Sequence, residues 1–310
     1  MSASDLLNRT SEANRTLEAK APESFLRDRE VVCTLITALS LLGLAATYVF
    51  AVRTARGQAL DLTALRGASI QIRPVFRVAR GVLGTISVAS LAVVFSVLCG
   101  VALIRRQRRL AVVVGAMVFG SVGTTELLKL VILKRPPLAR LSDGDASFNT
   151  LPSGHSTIAL VFVVAILFVV PRKWQGLVAL FGAPAAVAVG ISTVLQHWHR
   201  PSDVIAAWFV VATFAFGTLI VLGRLDALPT QGEAPWEHRV TPVLLLAVIG
   251  TVAALAAATL LGFGVHVRRG LVDGGSFRSA AAFGFSAAAI TALGFSVVAS
   301  ILWVLRQPNR

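Results

Sequence analysis

Long apolar runs constrain the fold of this chain more than any other feature. A helix needs about 20 apolar residues to cross the hydrocarbon core of a bilayer. About eight such runs occur, at roughly residues 31–52, 82–104, 110–133, 157–170, 174–195, 204–222, 240–265 and 280–305. Because backbone polar groups in lipid must be satisfied within the protein, runs of this length predict helices. We therefore predict an all-α fold, a polytopic membrane helical bundle of about eight spans.

The composition points the same way. Hydrophobic residues make up 55% of the chain and charged residues 14%, against roughly a quarter charged in a soluble domain. The net charge of +14 comes from arginines in the segments between apolar runs. The expected partner of these arginines is therefore the lipid bilayer with its anionic head groups, and no nucleic acid is expected. The sequence indicates no particular homo-oligomer.

The shortest loops predict the orientation. Residues 105–109 and 171–173 are rich in Arg and Lys, and such loops face the cytoplasm. Residues 1–30 are polar, without a cleavable signal peptide, and are expected to be a cytoplasmic segment. The loops expected on the outer side are 53–81, 134–154, 196–203 and 266–279. The first of these mixes arginines and apolar residues with one acid, Asp61, so it is either a segment lying on anionic lipid or a solvated connector.

Three polar islands interrupt the apolar pattern between residues 129 and 203, all in outer loops. The first is Lys129 with Arg135-Pro136, at the end of the third run. Glu126 lies three residues before Lys129 and shares its helix face, so the two are expected to pair. Charges at this depth are costly and usually functional, although both cations could also anchor the helix end at the head groups.

The second island, Pro152-Ser153-Gly154-His155, begins the fourth run. We expect Pro152 to open the helix and residues 153–156 to form its first turn. Free N–H groups and the helix dipole make such a terminus a phosphate site. His155 could there give a proton to a leaving oxygen; the alternative is a capping serine with an incidental histidine.

The third island holds His199 and Asp203, four residues apart, so that the carboxylate could orient the imidazole as a nucleophile. A competing interpretation is a metal site made by His155, His197, His199 and Asp203. It is disfavoured because His197 and His199, two apart, would diverge on a helix.

These islands resemble the motifs of the type 2 phosphatidic acid phosphatase superfamily of membrane lipid phosphatases. Pro152 to His155 carries its second motif, and the spacing of His199 to Asp203 carries its third. Two features depart from the family. Five residues rather than six separate Lys129 from Arg135, and Ser192-Thr193 replaces the usual Ser-Arg. Arg200 or Arg140 would have to supply the missing arginine.

The resemblance implies a six-span catalytic core over residues 31–222, followed by two further transmembrane helices and a short tail over residues 223–310. It implies catalytic roles for His199 as nucleophile, His155 as acid and Asp203 as orienting group. It also implies phosphoryl binding by Lys129, Arg135, Ser153 and the Gly154 backbone. Neither a metal nor another cofactor is required.

The function expected from the resemblance is hydrolysis of a membrane lipid phosphate or diphosphate, on the outer face of a bacterial plasma membrane, through a phosphohistidine. An isoprenoid diphosphate, phosphatidic acid and phosphatidylglycerol phosphate are all plausible substrates. Two alternatives stay open. One is a phosphotransferase of the same superfamily, and the other is a non-catalytic transporter, which would more often bury its charges near the bilayer midplane.

Overall fold

A computed structural model describes residues 29–68, 106–138, 149–227 and 274–307, with a few isolated positions between 77 and 100. These ranges contain seven helices and no strand. The helices are α1 Arg29–Arg53, α2 Ala55–Ala68, α3 Arg108–Leu127, α4 Gly154–Val169, α5 Arg172–Leu195, α6 Pro201–Arg224 and α7 Gly274–Arg306. A π-helical turn, Leu128–Ile132, extends α3.

The prediction of an all-α polytopic membrane fold is confirmed. Five helices are long and apolar enough to cross a membrane, namely α1, α3 with its π-helical turn, α5, α6 and most of α7. Helix α4 has only 16 residues, which is about 24 Å of helix against a hydrocarbon core of about 30 Å. The predicted spans at 82–104 and 240–265 lie almost wholly outside the described residues.

Helix α6 is the centre of the described bundle and contacts α3, α4 and α7. Its Trp208 and Phe216 are completely buried. Glycines let the neighbours approach this indole, because a Cβ at Gly294 of α7 would lie 2.7 Å from the Trp208 ring and one at Gly190 of α5 would lie 3.2 Å from it. Such close packing of small residues against large ones stabilises helix pairs in lipid, where the hydrophobic effect does not act between helices.

The described part of the first outer loop is helical. Residues 55–68 form a helix with one buried face, which includes Gln58, Asp61 and Leu62, and Arg56 and Leu60 lie on the exposed face. The buried face packs against α7. The backbones touch at Gly67, where a Cβ would lie 2.0 Å from the Ser279 carbonyl oxygen. The helical spacing thus gives α2 a buried face that includes the loop's acid, Asp61.

The helix directions gather the three polar islands at one end of the bundle. The N-termini of α4 and α6 lie there, and so does the segment that follows α3, since Arg135 approaches Asp203 within 3.7 Å. Helix α2 lies at the same end because Asp61 bonds to Ser202. The described residues of the four loops predicted to face outward therefore lie at this end of the bundle or adjoin a helix that begins there.

Candidate active site

The turn between α5 and α6 places His199 against the first turn of α6. Helix α5 ends at Leu195, and His197 then adopts a left-handed backbone with φ 59°. His199 Nδ1 lies 3.3 Å from Oδ2 of Asp203, whose side chain is fully buried. The ionised carboxylate can only accept, so Nδ1–H is the donor and the Nε2 atom is left to face other groups.

Asp203 is held by contacts on both sides of this bond. Its Oδ2 also accepts hydrogen bonds from Thr150 Oγ1 at 2.6 Å and from the Arg200 amide at 2.9 Å. The Asp203 amide donates to the Arg200 carbonyl at 3.0 Å. Asp203 is the third residue of α6, where a side chain that reaches back to the cap stabilises the helix start. The carboxylate is therefore fixed before any ligand binds.

Thr193 stands where the family motif usually has an arginine, and its contacts are those of a structural residue. The Thr193 hydroxyl donates to the Gly190 carbonyl at 2.7 Å, so it bonds within its own helix. Its backbone carbonyl accepts from the His199 amide at 3.3 Å. Of the two proposed replacements, Arg200 is buried and its Nη1 donates to Thr150 Oγ1 at 3.3 Å. Arg140 lies outside the described residues.

His155 is the second residue of α4 and faces His199. The ring centroids are 6.4 Å apart at an interplanar angle of 59°, and the Trp198 ring lies 5.4 Å from His155. Ser153 is the N-cap, since its Oγ accepts from the Ser156 amide at 3.3 Å. The prediction that Pro152 opens this helix is wrong by two positions, because the cap needs an extended residue between the proline and the first turn.

A backbone hydrogen bond joins the two histidine-bearing elements. The Ser153 amide donates to the Asp203 carbonyl oxygen at 2.9 Å. The Ser153 side chain is buried and accepts from Ser156 Oγ at 2.9 Å as well as from its amide. The spacing of His155 and His199 is thus set by main chain rather than by two flexible side chains.

Arg135 and Lys129, the two cations of the first island, both lie near the histidine-bearing helices. Arg135 Nη2 lies 3.7 Å from Asp203 Oδ1 and 3.8 Å from Asp61 Oδ2, and the side chain is 5% exposed. Among the described residues, no hydrogen bond is made by Arg135 Nε or Nη2. Lys129 Nζ pairs with Glu126 Oε1 at 2.6 Å, as predicted. A Cβ at Gly154 would lie 3.7 Å from that Nζ, so Lys129 reaches the start of α4.

The shortened spacing of the first motif coincides with the π-helical turn. Lys129 lies within Leu128–Ile132, and the Leu133 amide donates to the Leu128 carbonyl at 2.8 Å to close the wide turn. Asn149 binds the residue that follows this turn, because its Nδ2 donates to the carbonyl of Leu133 at 3.1 Å and also to that of Leu151 at 3.0 Å. A π-turn is frequent at functional sites, and here it carries one of the predicted phosphoryl-binding cations.

Sequence reasoning missed three residues of the site, namely Asp61, Asn149 and Thr150. Asp61 was noted only as the single acid in a loop of arginines, and that isolation was the available signal. Asn149 and Thr150 immediately precede the Pro-Ser-Gly-His motif, but nothing in their type predicts contacts to the first and third islands. The competing metal site finds no support in the described part of the chain, where no group of three or more His, Cys, Asp or Glu side chains could hold an ion.

The charges around Arg135 influence one another. Burial raises the pKa of Asp61 to about 6, and the nearby Asp203 carboxylate adds to that increase. Burial also lowers the pKa of Arg135, while the Asp203 carboxylate opposes that change. Two carboxylates therefore lie near one guanidinium in a site shielded from water. A bound anion could accept hydrogen bonds from the guanidinium N–H groups that the carboxylates leave unbonded.

Comparisons with known proteins agree with the motifs. Residues 109–227 match the PAP2 superfamily, so the resemblance is confirmed for the segment that holds all three islands. A protein named lipid A 1-phosphatase from Rhizobium johnstonii is 35% identical over 93 residues, which are 30% of this chain and 36% of that protein. A lipid A 1-phosphatase from Rhizobium etli is 33% identical over 93 residues, 30% of this chain and 38% of that protein.

The match therefore spans well under half the length of these curated relatives. No solved structure matches the chain.

Proposed function

Because residues 109–227 carry a PAP2 superfamily segment, we propose that the chain is a phosphatase that hydrolyses a membrane lipid phosphate or diphosphate through a phosphohistidine. The observation that carries the proposal is the pairing of His199 with Asp203 at 3.3 Å, with His155 6.4 Å away between ring centroids. In the proposed reaction the phosphoryl group lies between these two imidazoles. The names of the curated relatives support a lipid as the carrier of the phosphate.

The first half of the reaction uses both histidines. Nε2 of His199 attacks phosphorus while its Nδ1–H stays bonded to Asp203, which stabilises the positive charge that develops on the ring. The bond from phosphorus to the leaving oxygen breaks, and His155 gives its proton to that oxygen. The products of this half are a free lipid alcohol, or a lipid monophosphate from a diphosphate, and a phosphohistidine.

The second half returns the enzyme to its starting state. His155, now neutral, takes a proton from water as the water attacks phosphorus on the opposite side from His199. The P–N bond breaks and inorganic phosphate leaves, so each histidine regains its initial proton count. Both halves pass through transition states with charge spread over three equatorial oxygens, and fixed donors around those oxygens lower the barrier.

Arg135, Lys129 and the α4 N-terminus are the donors we assign to those oxygens. The Arg135 side chain is 5% exposed, its Nε and Nη2 atoms make no hydrogen bond within the described residues, and Nη2 lies 3.7 Å from Asp203 Oδ1. The Gly154 amide belongs to the first turn of α4, where N–H groups lack partners within the helix. Arg200 takes the place of the missing third-motif arginine, because it is buried beside Thr150 in the same cluster.

The location follows from the distribution of charge. Two short basic loops lie at the end of the bundle opposite the site, with Arg109 and Arg172 among their described residues, and such loops stay in the cytoplasm. We place the site on the outer face of a bacterial plasma membrane. The six-span unit over residues 31–222 would be catalytic, and residues 223–310 would add two helices to it.

The test is phosphate release by the full chain, purified in detergent with a chelator present. The panel holds phosphatidic acid, phosphatidylglycerol phosphate, an isoprenoid diphosphate and a lipid A 1-phosphate, assayed side by side. Wild type should release phosphate from at least one of them. Both His199→Ala and His155→Ala should lose at least about 10³-fold in kcat, because each removes a group that bonds to the reacting atoms.

His197→Asn is the matched control. His197 lies two residues from His199 but is exposed and has a left-handed backbone that asparagine tolerates. Its kcat should stay within twofold of wild type. Equal phosphate release by wild type, His155→Ala and His199→Ala would overturn the assignment of both histidines.

The same assay separates hydrolysis from transfer. A radiolabelled substrate should yield labelled inorganic phosphate, and His155→Ala should accumulate acid-labile label on the protein because the second half is slowed. Label appearing instead on an added lipid alcohol would identify a phosphotransferase. Absence of both products with every lipid phosphate would favour the non-catalytic interpretation.

A further inference from the structure

We infer that Asp61, on a helix outside the PAP2-matched segment, is a positioning residue of this site, and that helix α7 holds it there. The inference rests on the proposed phosphatase function. Asp61 is 7% exposed and lies on α2, and the matched segment begins at residue 109. Neither α2 nor α7 carries any of the three motifs.

Asp61 makes contacts with two catalytic elements. Its Oδ1 accepts from the Ser202 amide at 3.1 Å, and its Oδ2 accepts from the Ser202 hydroxyl at 2.5 Å. Ser202 is the second residue of α6, whose amide has no partner within the helix. An anion at that terminus is also favoured by the helix dipole. Asp61 thus fixes the start of the helix whose third residue, Asp203, orients His199.

The second contact is to Arg135. Its Nη2 lies 3.8 Å from Asp61 Oδ2 and 3.7 Å from Asp203 Oδ1, so the guanidinium is centred between two buried carboxylates. Neither distance is a hydrogen bond. The carboxylates hold the guanidinium electrostatically and leave its N–H groups for a phosphoryl oxygen. Removing one carboxylate should let the guanidinium close on the other, with its donors turned away from the substrate.

A neighbour on the same face of α2 binds the segment that carries Arg135. Gln58 Nε2 donates to the Pro136 carbonyl at 2.7 Å, and Gln58 Oε1 accepts from the Leu138 amide at 3.2 Å. Gln58 and Asp61 are three residues apart, so they project from one side of the helix. Helix α2 therefore positions both the backbone and the side chain of the Arg135 segment.

Helix α7 determines where α2 lies. A Cβ at Gly67 would lie 2.0 Å from the Ser279 carbonyl oxygen and 2.9 Å from Phe283 Cβ, so the helices meet with no space between their backbones. Helix α7 is in turn packed on α6 through Gly294 and Trp208. The C-terminal helix, for which the motifs predicted no role, thereby links α2 to the catalytic helix.

The test compares steady-state kinetics of Asp61→Asn with wild type on the lipid phosphate that wild type hydrolyses. Misplacement of a group by about 1 Å can cost on the order of 10²-fold in rate, and we expect a 10- to 100-fold loss in kcat with a KM change below threefold. Asp61→Glu, which keeps the charge, should recover part of the loss. A merely structural role would lower the amount of active protein and leave the kcat of the folded fraction, titrated with orthovanadate, unchanged.

A double-mutant cycle with Arg135→Ala tests the route of the effect. If Asp61 acts through Arg135, adding Asp61→Asn to Arg135→Ala should lower kcat by less than threefold. Gly67→Val should also lower kcat, because it pushes α2 from α7, and it should be non-additive with Asp61→Asn. Gly223→Ala, where a Cβ meets none of the described atoms within 4 Å, is the matched control.

The outcomes separate the two proposals. An active wild type with Asp61→Asn within twofold of it would overturn the positioning role and leave the phosphatase function standing. A wild type that neither releases phosphate nor binds orthovanadate would overturn the function itself. Full additivity in the cycle, with each loss present, would overturn the action of Asp61 through Arg135.

Discussion

The two ends of the helical bundle use arginine in opposite ways. At the end away from the site, Arg29 Nη2 donates to the Val304 and Gln307 carbonyls at 3.1 and 2.8 Å, and Arg109 Nη1 donates to the Leu225 carbonyl at 3.1 Å. At the site end, Arg135 is centred between two carboxylates that it does not hydrogen-bond. These two arginines at the first end thus bind backbone carbonyls, whereas the Nε and Nη2 atoms of Arg135 make no hydrogen bond within the described residues.

Helix direction explains the difference. Helices α6 and α7 end at the first location, where their last carbonyls lack partners and attract cations. Helices α4 and α6 begin at the second, where free amides attract anions. The same helix, α6, thus creates a carbonyl-rich end bound by arginines and an amide-rich end that recruits Asp61 and, by our proposal, a phosphoryl group. By our proposal, Arg135 is functional because it lies at the end where helix amides, rather than helix carbonyls, lack partners.

Asp203→Asn should cause the largest loss of activity among the variants at the site end. The amide keeps the shape of the carboxylate but loses its charge, and its NH₂ group cannot accept from His199, Thr150 and the Arg200 amide as Oδ2 does. The wrong imidazole tautomer would then face phosphorus. A loss of about 10³- to 10⁴-fold in kcat is expected from comparable systems, measured as phosphate release with folded protein quantified by gel filtration. A loss below tenfold would contradict the orienting role.

Arg135→Lys tests whether catalysis needs the unbonded N–H donors of the guanidinium or only its positive charge. Lysine keeps the positive charge between Asp61 and Asp203 but has no planar fork to bind two oxygens at once. We expect kcat to fall by about 10²-fold, as when one donor to a developing oxyanion is removed. Arg109→Lys at the opposite end is the control, because its Nη1 donates to a single carbonyl, and its kcat should match wild type.

Gly154→Ala should have a smaller effect, on binding. The added methyl would lie 3.0 Å from Glu126 Oε1 and 3.7 Å from Lys129 Nζ. Both atoms end flexible side chains, so the fold should tolerate the change, but the methyl would occupy space between Lys129 and the α4 amides. We expect KM to rise about tenfold with kcat reduced less, since the Gly154 amide is retained. An unchanged KM would place the phosphoryl group elsewhere.

The motifs predicted the centre of this site well because their chemistry is local. His199 and Asp203 are four residues apart, and Glu126 and Lys129 three apart, so both pairs follow from the geometry of a helix start or a helix face. The apolar runs likewise gave the bounds of α1, α5 and α6 to within a few residues. The resemblance supplied the expectation that His155 faces His199, which spacing alone could not give.

The remaining contacts were not predictable because they join elements far apart in sequence. Asp61 meets Ser202 across 141 residues and Thr150 meets Asp203 across 53. The Asp61 contact depends on how α2 packs against α7 at Gly67, which no pattern distinguishes from any other loop glycine. The prediction that Pro152 opens α4 failed for a local reason, since proline preference and capping compete within three residues, and the alternative of a capping serine is confirmed at Ser153.

The pH dependence of stability sharpens the comparison at Asp61. Its pKa is raised from an unfolded value near 3.8 to about 6, so the folded state binds the proton more tightly. The stabilisation that this gives is full below pH 3.8 and is lost as pH rises through 6. The melting temperature of wild type should fall relative to Asp61→Asn between pH 5 and 7, in the presence of the same Arg135 and Asp203. Parallel curves over that range would show that Asp61 is ionised throughout.

The smallest effect is expected at the opposite end, with Glu30→Gln. Glu30 forms a solvent-exposed ion pair with Arg224. Exposed pairs are screened by salt and their partners are solvated whether or not they meet. The variant should keep wild-type kcat and melting temperature, measured at low and at moderate salt. Like Asp61→Asn, it removes a carboxylate beside an arginine, so the difference between the two variants measures how much burial increases the effect on kcat and melting temperature. A loss of activity from Glu30→Gln would mean that the two ends communicate through α6, and the division between a structural and a catalytic end would fail.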